Sequence, residues 1–139
     1  MRYFLPIAAG LMAVTAAALP FATIVEAQTV KPERVQFAKG KTSKVIKGTL
    51  TGDQSRIYLV NLRAGQTVTV KLLSTNSSAN FNVTAPGAME AMFIGSVSGN
   101  EFSGVVPSTG DYKIDLFLMR SAARRRESMN FTIAIGATG

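Results

Sequence analysis

From Arg34 onward, apolar and polar residues alternate with a period close to two through most of this chain, the pattern of strands with one wet and one dry face. Val35 and Phe37 alternate with Arg34 and Gln36 before Lys39-Gly40-Lys41 turns the chain. Residues 44–50 read as a strand with lysines on the wet face, and Gly52-Asp53 as the next turn. Residues 57–62 form an apolar strand with Tyr58, Val60 and Leu62 as its inward set. After Ala64-Gly65, Val68, Val70 and Leu72 alternate with Thr67, Thr69 and Lys71, the clearest strand in the chain. Residues 74–79 are a polar loop. Phe81 and Val83 mark a short strand that Pro86-Gly87 ends. Within 88–99, Met89, Met92, Phe93 and Ile94 fit either a helical turn or a short strand. A strand is expected over 101–106. Another places Tyr112, Ile114, Leu116 and Leu118 on one face, and a last one carries Phe131, Ile133 and Ile135. About seven to nine short strands, separated by Gly, Pro, Asn and Asp turns, predict an all-β protein: a single antiparallel β-sandwich. No repeat, low-complexity segment or second domain interrupts the pattern.

The first 27 residues stand apart. Met1-Arg2-Tyr3 is a short positive start, an apolar run follows to Ala18, and Val25-Glu26-Ala27 fits a signal-peptidase site. The segment is long enough to span a bilayer, but Pro6, Pro20 and the cleavage site favour a cleaved signal peptide (1–27) ahead of one domain (28–139). That predicts export to the periplasm with no stable membrane insertion afterwards. The leader carries one cation, Arg2, and one anion, Glu26, so the net charge of +7 is unchanged by its loss. An exported domain without a single Cys must rely on its apolar core. The sequons at Asn76, Asn82 and Asn130 are read as accidental.

The charge has a focus. Between the last two strands lie Arg120, Arg124, Arg125 and Arg126, and 121–126 can coil into one helical turn. Guanidinium forks recognise carboxylates and other anions bidentately. Residues 107–135 therefore read as a rigid hairpin presenting a cationic loop. Lys39, Lys41, Lys44 and Lys47 read as a solubilising strand edge. The chain has no His and no Cys, which removes histidine triads, Cys–His dyads and imidazole or thiolate zinc sites. Carboxylates Glu33, Asp53, Glu90, Glu101, Asp111, Asp115 and Glu127 are scattered, and no pair is marked out for glycoside hydrolysis. Asp53 and Asp111 lack the spacing of a calcium loop. The glycines of 95–104 fit no phosphate loop, and no aromatic is interleaved with the arginines as nucleic-acid stacking requires. The expectation is a protein with no cofactor, no metal, no nucleic-acid partner and no catalytic activity, whose oligomeric state is open.

Most of 28–139 resembles the periplasmic inhibitors of goose-type (g-type) lysozyme made by Gram-negative bacteria and, more loosely, pre-peptidase C-terminal β-sandwich modules. The resemblance runs over Val35-Gln36-Phe37-Ala38-Lys39-Gly40, Gly48 to Gly52, Tyr58, Ala64-Gly65-Gln66-Thr67-Val68-Thr69-Val70 and Ala85-Pro86-Gly87. It is strongest at Pro107-Ser108-Thr109-Gly110-Asp111-Tyr112, which resembles the family's proline-led serine-glycine-x-tyrosine turn, and at Arg120-Ser121-Ala122-Ala123-Arg124, which resembles its arginine-x-x-alanine-arginine loop. The resemblance implies a lysozyme inhibitor that blocks the enzyme's cleft with loops. Thr109, Gly110, Asp111 and Tyr112 would lie in one such loop, and Arg120 and Arg124 would face the enzyme's acidic groups. Two departures stand out: Thr109 replaces the family's serine, and Asp53-Gln54-Ser55-Arg56 replaces an aromatic-rich segment, leaving Tyr58 as its aromatic. A different class of function also fits: a non-catalytic envelope module that adheres to peptidoglycan or anionic glycan by charge. Contact with lipopolysaccharide through the lysines is a third.

Overall fold

A computed structural model describes residues 30–139; the leader expected over 1–27 lies outside them. The described residues hold nine strands: β1 (Glu33–Arg34), β2 (Ser43–Thr51), β3 (Ser55–Leu62), β4 (Thr67–Ser74), β5 (Ala79–Thr84), β6 (Phe93–Ile94), β7 (Glu101–Val105), β8 (Gly110–Leu118) and β9 (Ser128–Thr138). Two short helices, α1 (Gly95–Ser98) and α2 (Arg120–Arg124), complete them. The protein is all-β. One sheet has the order β1-β3-β8-β5-β6 and the other β2-β9-β4-β7. Every pairing is antiparallel except β1 with β3, which is parallel and two residues long. The expected strand through Phe37 is thus confined to Glu33–Arg34, with Val35 adding one backbone bond to Leu59. The ambiguous 88–99 stretch contains both forms foreseen for it, β6 followed by the α1 turn.

The chain alternates between the sheets at almost every step; only β5 and β6 follow each other in one sheet. This corrects the expected hairpin over 107–135. β8 lies between β3 and β5, whereas β9 lies between β2 and β4 in the other sheet. The arginine segment is a crossing between sheets and not the tip of a hairpin. A period of two reveals which face of a strand is dry, and both sheets turn their dry faces to the same core, so the pattern could not separate them.

That core joins both sheets. From one come Tyr58, Val60, Leu62, Phe81, Ile114 and Leu116; from the other come Leu50, Val68, Val70, Leu72, Ile133 and Ile135. Each fully buried aliphatic or aromatic side chain contributes about 1.5–3 kcal/mol. Phe93 closes one side, its ring 5.0 Å from Phe81 and 4.9 Å from Phe102. Elsewhere Arg56 lays its guanidinium 5.9 Å from the centre of the Phe131 ring, and Gly48, opposite Phe131 in the register, leaves room for that ring. Tyr58, the aromatic retained after the Gly52 turn, is wholly buried and belongs to the core.

Candidate partner-binding site

The six residues singled out by sequence sit at the two ends of β8. Gly110 opens the strand and Leu118 closes it, so Thr109–Tyr112 and Arg120–Arg124 stand about 26 Å apart at the rise of an extended chain.

At the first pole the turn is knitted to its surroundings. The Tyr112 hydroxyl donates to the Ser108 carbonyl at 2.6 Å and accepts from the Ser108 amide at 3.2 Å. The Tyr112 ring itself is buried, so what it offers a partner is the shape of the turn that it fixes. Thr109 Oγ1 accepts from the Ala64 amide at 2.9 Å, tying this turn to Ala64-Gly65. Gly110 has φ of +151°, and a Cβ there would meet the Pro86 ring at 2.8 Å, so glycine is required on both counts. Arg34 grips both oxygens of Asp111, each at 2.9 Å, and Asn61 Nδ2 donates to the same carboxylate at 2.9 Å. These bonds, Arg34 first, hold the Asp111 pKa down at about 2. Asp111 meets solvent as half of a closed ion pair.

The second pole is built differently. α2 buries Ala122 and half-buries Ala123, which sends Arg120 and Arg124, four positions apart, outward along one face. The Glu127 amide donates to the Ala122 carbonyl at 3.1 Å, and the Gly52 amide donates to the Glu127 carbonyl at 2.9 Å. The Gly52 turn is thereby locked beside the arginine turn. Gln54 stiffens it further, its side-chain oxygen accepting from the Thr51 amide at 3.0 Å. Arg126 has φ of +57°, the one residue other than glycine in that region among those described. Asp53, Arg120, Ala123, Arg124 and Arg126 line a depression of about 300 Å³. Arg125 turns away to Glu127, with 2.7 Å between Nε and Oε2. Hydrogen bonds from Asn76 and then Arg125 keep the Glu127 pKa below the ordinary carboxylate value.

Three arginines and one aspartate thus line a single depression beside the Gly52 turn. The sequence grouped Arg126 with Arg120 and Arg124 but singled out only the latter two as contacts, and it did not place Asp53 beside them. The available signal was Gly52-Asp53, a turn whose partner is a sheet crossing more than sixty residues away. No group of three or more His, Cys, Asp or Glu side chains suited to a metal occurs among the described residues. No helix among them is long and apolar enough to cross a membrane.

No family model matches the chain, and no curated protein matches it. Among solved structures, PliG of Aeromonas hydrophila, a periplasmic lysozyme inhibitor of g-type lysozyme, is 38% identical over 78% of this chain and 97% of its own, with a TM-score of 0.72. PliG of Salmonella Typhimurium is 23% identical over 79% of this chain and 100% of its own, with a TM-score of 0.65. The pre-peptidase C-terminal domain of a Bacillus anthracis collagenase is 15% identical over 80% of this chain and 98% of its own, with a TM-score of 0.56. The last two are likenesses of fold alone.

Proposed function

Since the chain belongs to the family of periplasmic inhibitors of g-type lysozyme, we propose that it inhibits such a lysozyme by inserting the arginine crossing into the enzyme's substrate cleft. The observation that supports this most directly is the depression of Arg120, Arg124 and Arg126 on a turn held by Gly52 and Glu127. Enzymes that cleave glycosidic bonds work with carboxyl groups in a cleft. A preorganised guanidinium reaches such a group with little ordering cost. Arg120 and Arg124 make the primary contact in this reading. Thr109, Gly110, Asp111 and Tyr112 hold the opposite end of β8 in place. The two sheets pack as a sandwich, which supplies the rigid body behind the crossing. The protein itself performs no catalysis. Residues 1–27 act as a leader that directs it to the periplasm and is removed, so that the protein isolated from that compartment starts at Gln28.

The test is a cell-wall clearing assay with g-type and chicken-type lysozymes titrated by the purified protein. Stoichiometric loss of g-type activity alone supports the proposal, and undiminished activity of both enzymes refutes it. Truncating one side of a desolvated charge pair costs about 2–5 kcal/mol. Arg120→Ala with Arg124→Ala should therefore raise the inhibition constant by about 30-fold or more. An unchanged constant would remove both arginines from the contact.

A further inference from the structure

The outer face of the four-stranded sheet carries two hollows that the proposed inhibition does not use. Its central strand, β9, turns only short side chains outward: Asn130, Thr132, Ala134 and Gly136. Taller residues rise on both sides. The register sets Lys47 and Leu73 across Thr132, and Val45 and Lys71 across Ala134. At Gly136 a Cβ would meet Thr69 Oγ1 at 2.9 Å, so a hydroxyl occupies that part of the floor. The two hollows, of about 610 and 530 Å³, lie end to end along this strand. From Asn130 to Gly136 the floor is about 20 Å long at the rise of a strand. At the Asn130 end it runs out toward Thr51 and the Gly52 turn, beside the arginine crossing.

We propose that this trough is a glycan-binding site, and that its occupant is a linear, carboxylate-bearing polymer of N-acylated amino sugars, the chemistry of peptidoglycan. Shape, lining and charge each argue for that occupant. A straight shallow channel suits an extended chain better than a compact molecule. Thr49, Thr69, Thr132 and Asn130 offer hydroxyl and amide groups that match the hydroxyls and acetamides of such a sugar. Lys47 on one wall and Lys71 on the other supply cations for its carboxylates, with Glu101 the only anion lining the hollows. The outward positions of β2, β9, β4 and β7 carry neither an aromatic residue nor an arginine. Phe131 and Phe102 line the hollows from inward positions, and Val45, Leu73 and Val105 are exposed on the same face. The choice of a glycan over a protein partner therefore rests on the polar floor and the two lysines. Binding here would hold the protein on the polymer that lysozymes cut, with the arginine crossing left free.

Co-sedimentation with protein-free peptidoglycan sacculi tests this. The wild-type protein should bind saturably. Two trough variants, Lys47→Gln with Lys71→Gln, and Ala134→Gln that fills the floor without changing the charge, should each lose affinity by about tenfold or more, a change of some 1.4 kcal/mol. Both should keep the wild-type melting temperature and full lysozyme inhibition, and Arg120→Ala with Arg124→Ala should sediment as wild type does. Absence of wild-type binding overturns the proposal. So does full binding by Ala134→Gln, which would reduce the effect to bulk charge. Loss of lysozyme inhibition in the trough variants with sacculus binding intact would make the face a protein interface and would equally overturn it.

Discussion

Asp111 and Asp115 stand four residues apart on one face of β8, and their surroundings drive their acidities in opposite directions. Asp111, gripped by Arg34 and Asn61, is held at about 2. A carboxyl depressed in the folded state contributes stability that is present above its unfolded pKa and is lost as pH falls through its folded one. Asp111→Asn should therefore melt below wild type near neutral pH, with the gap closing between about pH 4 and pH 2. For Asp115, burial beneath its neighbours raises the pKa, and Lys113 only partly offsets this. Its ionised form is the disfavoured one, so stability falls as pH rises through the shifted pKa. Asp115→Asn should melt above wild type at neutral pH, and the gain should vanish in acid. Melting curves of the three proteins across this range decide the matter; displacements of the same sign would refute the assignment. Neither environment was legible in the sequence, where Asp111 reads as part of the turn and Asp115 as a wet position of the strand. Tyr112 shows a related limit: the family resemblance implied a contact there, while its position in the alternation already put it on the dry face with Ile114 and Leu116.

At the scale of elements, β2 and β9 show how an edge strand is made secure. Gly48 interrupts β2, an edge strand with lysines at 44 and 47, and glycine is a poor strand former. Its register partner Phe131 lies across the gap, an aromatic covering a glycine of the neighbouring strand, and Arg56 stacks on that ring from the other sheet. A Cβ at 48 would stand 2.7 Å from the ring. Gly48→Ala should cost about 1–3 kcal/mol through overpacking, although alanine is no worse a strand residue than glycine. Thermal or denaturant unfolding measures this, and an unchanged midpoint would mean that the ring moves aside freely. Most of the strands were legible to within a residue or two, because side chains such as Val68, Val70 and Leu72 can be dry together only on a strand. The exceptions are β1, which stops short of Phe37, and β9, which runs three residues past Phe131 and Ile135 at either end. The pairing of the strands was not legible. Neither the parallel β1–β3 pair nor the separation of β8 from β9 leaves a mark on local periodicity, since both are set by contacts far along the chain.

For the molecule as a whole, the central fact is that β8 places its two loops at opposite poles. One pole consumes its polar groups internally, and the other leaves three arginines around a hollow. A cleft that takes in the second pole does not reach the first. Thr109→Lys should therefore leave the lysozyme inhibition constant within about twofold, the usual effect of a surface change away from a contact. It should lower the melting temperature slightly, since the Ala64 amide loses its acceptor. Inhibition that falls as far as in the double arginine variant would place both poles against the enzyme. The order of the strands has a further consequence, for the time before folding. β9, eleven residues long, is the last strand among the described residues, yet it is an inner strand of its sheet and pairs with both β2 and β4. During synthesis those two strands emerge first and face an empty slot. Their native partner, β9, is still to come. A nascent chain of this topology leaves that sheet incomplete until β9 appears, and its many distant pairings then assemble slowly. A late strand in the middle of a sheet thus delays closure of that sheet until after both of its neighbours have been made.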